Sequence, residues 1–269
     1  MRQQLRARLT RLAVQLATWN VNSVRARHRH VLAFLERRRP DYLLLQEIKC
    51  EAGVFPDAEF KALGYRAAVV GQKGYNGVAV LSRQPLEVRQ CRLPRLRDGA
   101  AEARYLEVAA DGFALIDVYV PNGNSGGEAG FAAKLAFLSH LALRLEALLT
   151  DDMPLLVGGD FNVCPAVEDV APGALAPDDA LVRPESRAAF RRLIWLGLTD
   201  AVRALRPNGP AYTFWDYQAA SFERDRGLRI DHVLLSPVLA ERLREIEICR
   251  DERAEAQPSD HVPVLVRLD

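Results

Sequence analysis

The sequence predicts an α/β domain in which two β-sheets pack face to face with helices outside. Three observations lead there. About ten short apolar runs of strand character are mixed with three or four segments of helical period. The two kinds alternate irregularly instead of forming separate blocks. No low-complexity linker divides the 269 residues, of which 49% are hydrophobic and 26% charged, enough apolar material for one large core.

Taken in order, the strand runs are Ala13 to Trp19, Tyr42 to Gln46, Ala67 to Val70, Val78 to Leu81, Tyr105 to Ala109, Ala114 to Val120, Leu155 to Val157, Leu228 to Leu235, Ile246 to Ile248 and Val262 to Leu268. In the last, Val262, Val264, Val266 and Leu268 recur with period two. Helical spacing marks "SVRARHRHVLAFLERRRP", with Val24, His28, Val31, Leu32 and Leu35 on one side and a stop at Pro40. It also marks "GFAAKLAFLSHLALRLEALLT" and "SRAAFRRLIWLG", the latter ending at Gly197. The stretch from Val163 to Pro184, rich in Pro, Ala and Asp, reads as a surface excursion. The start, "MRQQLRARLTRL", is Arg-rich and free of acids; residues 1–12 read as a short basic arm, with an organelle transit peptide as the alternative, before a single domain over 13–269.

A net charge of +1 gives no global case for a polyanion partner, so any nucleic-acid affinity rests on local patches such as "RARHRH" and "RQCRLPRLR". Cys50, Cys91, Cys164 and Cys249 lie far apart, against a zinc site or a disulfide framework and in keeping with a reducing cytoplasm. No apolar run has the length to span a membrane.

Polar residues recur where strand runs end. Asn20 and Asn22 follow the first, Glu47 the second; Tyr119 and Asn122 close "DVYVPNG", Asp160 and Asn162 close "LLVGGDFN". Each taken alone has a bland reading: the asparagines as turn formers or helix caps, Glu47 as a strand leaving the core. Asp231 is harder to dismiss, because a carboxylate inside "LRIDHVLLS" costs on the order of several kcal/mol to bury unless it is paired. His261, in "PSDHVPV", is a natural partner: an aspartate that accepts from one ring nitrogen fixes the tautomer and leaves the other nitrogen for substrate. Oxygen donors without a Cys/His cluster favour a hard cation such as Mg²⁺ over zinc, and the combination fits water attacking a phosphodiester.

The segments "WNVNSVRAR", "LQEIKC", "GYNGVAVLSR", "VYVPNG", "GDFNV", "YTFWDY", "GLRIDHVLLS" and "PSDHVPV", in this order, resemble the exonuclease III family of apurinic/apyrimidinic endonucleases, within the endonuclease/exonuclease/phosphatase superfamily. The resemblance runs from about residue 14 to the end. It implies a four-layer α/β sandwich of DNase I-like type, two mixed sheets between helices. For the site it implies Mg²⁺, with Mn²⁺ as a substitute, held by Glu47 with Asn20, Asp160 and Asn162, and Asp260 near a second metal position. Tyr119, Asp160, Asn162, Asp231 and His261 become the catalytic set, with Asp160 in an acid/base role and Asp231 orienting His261. Asn22, Lys49 and Asn122 would contact substrate, and Phe214, Trp215, Leu228 and Ile230 would line a pocket for an extrahelical abasic sugar.

The implied activity is incision of duplex DNA 5′ to abasic sites together with removal of nucleotides or blocking groups from 3′ ends, by a cytoplasmic monomer. Two alternatives stand beside it: the same fold acting on a phospholipid, inositol phosphate or RNA, and a catalytically silent nucleic-acid-binding regulator. "NSGGEAG" after "YVPNG" is small and flexible where relatives often carry a bulky wedge, and position 22 is Asn where some have Asp.

Overall fold

The computed structural model describes residues 13–94, 102–110 and 112–269, so the basic arm at 1–12 and the end of "RQCRLPRLR" lie outside the described residues. Two six-stranded mixed sheets form the centre. The first runs β11 (Leu243–Ile248), β12 (Val264–Leu268), β1 (Val14–Asn20), β2 (Tyr42–Gln46), β4 (Val78–Ser82) and β3 (Arg66–Val70). The second runs β5 (Glu87–Gln90), β6 (Tyr105–Ala110), β7 (Phe113–Tyr119), β8 (Leu155–Asp160), β10 (Asp231–Leu235) and β9 (Thr199–Asp200). The pairs β1/β2 and β7/β8 are parallel and the others antiparallel.

Alternation divides each strand between two environments. Leu16, Leu44 and Val80 of the first sheet meet Leu115, Leu156 and Val233 of the second in a fully buried seam. The opposite face of the first sheet, with Ala17, Trp19, Leu43 and Leu45, packs on α1 (His28–Arg38) through Phe34 and Leu35. Ile116, Val118 and Val157 of the second pack on α3 (Gly127–Thr150) through Phe137, Leu141 and Leu145, and on α4 (Pro184–Trp195) through Phe190 and Leu193. Smaller helices α2 (Asp57–Ala62), α5 (Ala201–Leu205) and α6 (Pro237–Ala240) complete the four layers.

Three expectations need correction. Residues 24–27 form turns ahead of α1. Leu228 leaves the ladder of β10 to make isolated bridges with Phe214 and Val170, so only Asp231–Leu235 is strand. Val163 to Pro184 is no mere surface excursion: it buries Cys164, Asp169, Ala171 and Leu181, and closes over Leu228 and Ile230. Among the described residues, no helix is long and apolar enough to cross a membrane.

Candidate active site

Both sheets present their functional residues at one shared edge. On the second sheet, Tyr119, Asp160 and Asp231 stand side by side on β7, β8 and β10. Gly159 makes that row possible, since at φ 147° a Cβ there would strike the Val118 carbonyl. On the first sheet Asn20 ends β1, and Glu47 lies one residue past β2. Backbone strain gathers here: Asn22, Glu47, Lys49 and Asn162 have φ of 44°, 50°, 51° and 50°, a region non-glycine residues seldom occupy.

Asn20 brackets the two sheets. Its Oδ1 accepts the Asn22 backbone N–H at 3.0 Å, which turns Nδ2 inward to donate to Glu47 Oε1 at 2.9 Å and Asp160 Oδ2 at 3.0 Å. That orientation corrects the expectation of Asn20 as a metal ligand, because its oxygen faces away from the carboxylates. Burial pushes the Glu47 carboxyl up, but Asn20 and Lys49, whose Nζ lies 2.9 Å from Oε2, outweigh it and hold the group below its ordinary value.

Asp231 accepts from Thr213 Oγ1 at 2.6 Å and lies 2.9 Å from His261 Nδ1. The backbone of His261 is tied to β1, its carbonyl accepting from Trp19 Nε1 at 3.1 Å. Burial works against charge on the imidazole, yet Asp231, with Asp160 and Asp260, pushes its pKa up to about 10. The ring is therefore an imidazolium at neutral pH, and its Nε2, 3.9 Å from Asp160 Oδ2, is a donor. Asp160 moves to about 7, driven first by burial, with Asp231 and Glu47 adding to it and His261 and Asn20 opposing. Its Oδ1 accepts from the Asn162 N–H at 2.9 Å. Burial and the neighbouring Glu47 and Asp160 push the Tyr119 phenol far up, so it stays protonated.

The remaining expected residues fall on the two flanks. Asn122 Nδ2 donates to Asn162 Oδ1 at 2.9 Å, and Asn162 Nδ2 to the Val120 carbonyl at 3.0 Å. Asp260 accepts from Asn22 Nδ2 at 3.1 Å, to one side of the Glu47–Asp160–His261 group. Phe214 is half-buried with its ring 4.9 Å from that of His261, while Leu228 and Ile230 back it in a small apolar cluster. Trp215 is a correction: it is fully buried, flanked by Tyr212 and Phe222, and its Nε1 donates to Asp225 at 3.1 Å, so it supports the segment from beneath and does not line a pocket.

Sequence reasoning missed Lys134 of α3. It is fully buried, and its Nζ donates to the carbonyls of Asn122 at 2.9 Å and Asn162 at 2.5 Å, locking together the two loops that carry those amides. Burial lowers its pKa to about 8. The signal was its position: three residues after Phe131 and four before Leu138, on the apolar stripe.

Ligand atoms of Glu47, Asp160 and His261 lie within 4.8 Å of one another. With His261 protonated, the oxygen donors are left for a cation. The carboxylates Glu47, Asp160, Asp231 and Asp260 outnumber the cationic groups paired with them, Lys49 and His261, and an oxygen-rich, acidic set of this kind suits a hard divalent ion. The residues present therefore fit such an ion.

An edge with these acids and donors suits hydrolysis of a phosphate ester, and known proteins of this shape agree. A model of the Endonuclease/Exonuclease/phosphatase family matches residues 17–261, and the chain belongs to that family. It is 35% identical to Exodeoxyribonuclease III of Haemophilus influenzae, over 93% of this chain and 98% of that one. Two solved structures superpose at a TM-score of 0.89, each covering 95% of this chain and 99% of its own: an AP endonuclease from Archaeoglobus fulgidus, 34% identical, and the 3′ phosphatase NExo from Neisseria bound to a product DNA hairpin, 35% identical. The protein is accordingly a hydrolytic nuclease of the exonuclease III type.

Proposed function

We propose that the protein is a Mg²⁺-dependent DNA repair phosphodiesterase that cuts duplex DNA 5′ to abasic sites, leaving a 3′-hydroxyl, and clears nucleotides or blocking groups from 3′ ends. The observation that carries this reading is the convergence of Glu47, Asp160 and the Asp231–His261 pair within one edge, beside a half-buried Phe214. The similar proteins, an AP endonuclease and a 3′ phosphatase bound to a DNA product, support it.

In this reading Glu47 holds the cation with help from Asp160. Bound there, Mg²⁺ supplies Lewis-acid neutralisation of charge on the phosphate. The His261 imidazolium and the Tyr119 hydroxyl donate to phosphate oxygens, and Asn122 orients the group with its remaining amide hydrogen. Water attacks phosphorus, the bond to the upstream O3′ breaks, and that oxygen leaves with a proton. Asp160 serves the proton transfers as acid/base, its two oxygens steered by Asn20 and the Asn162 N–H. Asp231 keeps the tautomer and charge of His261, and Asp260 with Asn22 and Lys49 lines the flank toward the DNA. Phe214, backed by Leu228 and Ile230, offers a small apolar surface to a sugar without its base. The enzyme works as a monomer in the cytoplasm, as one domain from residue 13 with a basic arm before it, and Mn²⁺ replaces Mg²⁺.

The test is incision of an abasic-site duplex beside a 3′-recessed duplex, with Mg²⁺ and with EDTA. Cleavage that needs the metal is expected. No cleavage by the wild type, or undiminished cleavage by Asp160→Asn and His261→Ala, sinks the proposal.

A further inference from the structure

One step inward from the site, the apolar seam between the sheets holds a polar trio. Gln46 of β2 donates through Nε2 to Asp117 Oδ1 of β7 at 2.7 Å and to Thr18 Oγ1 of β1 at 3.0 Å. All three side chains are fully buried, among Leu16, Leu44, Val80, Leu115 and Leu156. Gln46 Oε1 and Asp117 Oδ2, on the two groups already joined, have no hydrogen-bond partner among the described residues. Two lone acceptors in one apolar layer are costly, and a bare carboxylate without a cation beside it more so. A proton on Oδ2 leaves the pair uncharged and turns one of the two lone acceptors into a donor, the kind of group that Gln46 Oε1 lacks. Burial drives the carboxyl in the same direction, well above its ordinary range, against the pull of Gln46 and the Ala79 and Leu45 N–H groups.

The trio's place in the ladders gives it a use. Gln46 directly precedes Glu47, and Thr18 lies two residues before Asn20 on the same face. Asp117 lies two before Tyr119, and its neighbour across the ladder, Gly158, lies two before Asp160. Apart from the Asn20–Asp160 bond at the mouth of the site, the side chains named for this seam meet through hydrocarbon surfaces, which resist separation but not sliding. We propose that Asp117 carries a proton and is a positioning residue: hydrogen-bonded to Gln46 across the seam, it fixes where Glu47 of the first sheet stands against Asp160 and Tyr119 of the second. Only the catalytic half of this inference rests on the nuclease reading above.

Infrared difference spectroscopy of the full chain, wild type minus Asp117→Asn at neutral pH, reads the proton directly: a carboxylic-acid carbonyl band lost in the variant is expected. Asn keeps a donor and an acceptor in the same places, so kcat should stay within about threefold of wild type, whereas Asp117→Leu should lower kcat by roughly 10- to 100-fold with KM for duplex DNA unchanged. Should the Leu variant not fold, Asp117→Thr reads the same division between kcat and KM. Absence of the lost band, or a Leu or Thr variant with wild-type kcat, overturns the inference. A wild type inert on abasic DNA but active on 3′ ends would sink the abasic reading alone; the band and the 3′-end assay would still decide the role of Asp117.

Discussion

Asp231 and His232 are neighbours on β10, and their side chains point to opposite faces, into two buried polar clusters of opposite character. On the His232 side, the fully buried Arg229 donates to Asp169 at 2.6 and 3.1 Å and to Asp200 at 2.8 Å. Arg203 reaches Asp169 as well, and His232 Nε2 lies 2.9 Å from the Val163 carbonyl. Two guanidinium groups balance two carboxylates there. Burial tends to raise both acids, but Arg229 overcomes it at Asp169, and His232 and Arg229 overcome it at Asp200, so both end below the ordinary carboxylate value. On the Asp231 side the carboxylates outnumber the cations, and Asp160 is displaced upward to about 7. The first cluster is balanced in charge and ties Val163 to Pro184 to the sheet. The second has the charge surplus of a site that awaits a cation and a substrate.

The comparison breaks most visibly under substitution. Asp160→Asn and His261→Ala should each lower kcat by about 10³- to 10⁴-fold. His261→Ala also strands the buried Asp231 and so costs stability. Asp160→Asn should leave stability in urea the same or raise it, because surplus negative charge is being removed. Arg229→Met should do the reverse. Stranding Asp169 and Asp200 costs about 3–5 kcal/mol of unfolding free energy, read from the urea midpoint. An Asp160→Asn variant that unfolds the protein, or an Arg229 variant as stable as wild type, would contradict the division.

Between these extremes stands Lys134, which touches only main-chain carbonyls of site loops. Lys134→Met should lower kcat by about 10- to 100-fold, measured on the 3′-recessed duplex, through misplacement of Asn122 and Asn162. The balanced cluster also sets an acid limit. Asp169 and Asp200 have depressed folded-state values, so their contribution to stability is full above the unfolded-state value of about 4 and is lost as pH falls toward the folded-state values. Urea stability should therefore fall below about pH 4 as these two acids take up protons, with a shallower fall in Asp169→Asn. Between neutral pH and about 5 it should instead rise as pH is lowered, because the raised values of Asp160 and His261 let the folded chain bind protons first.

How much of this was legible in the sequence depended on whether a residue broke a pattern. Tyr42 to Gln46 is the strand its apolar run indicates. β5 and β9 left no trace because the first is mostly exposed and the second only two residues long, so neither has a buried face to write a period. Asp231 stood out as a carboxylate in an apolar run, with His261 as an obvious partner. Asp117 in "LIDVYV" carries the same signal, but its partner is an amide on another sheet, and nothing along the chain indicates that pairing. Trp215 was misread because adjacent aromatics in a loop look alike until the backbone bridge from Phe214 to His261 leaves one ring at the site and the other beneath it.

That last distinction gives the smallest effect and the finest test of the comparison. Phe214 stands at the edge of the site against His261, whereas Trp215 serves the interior with one hydrogen bond to Asp225. Phe214→Ala should raise KM for an abasic duplex more than for a 3′-recessed duplex, since only the former offers a sugar without its base to the apolar surface. Trp215→Phe should leave both KM values alone and cost about 1–3 kcal/mol in urea, from the lost bond and the space a smaller ring leaves in the interior. Equal effects of the Phe214 change on the two substrates would remove the abasic pocket from this side of His261, and a KM effect from Trp215→Phe would return its ring to the substrate surface.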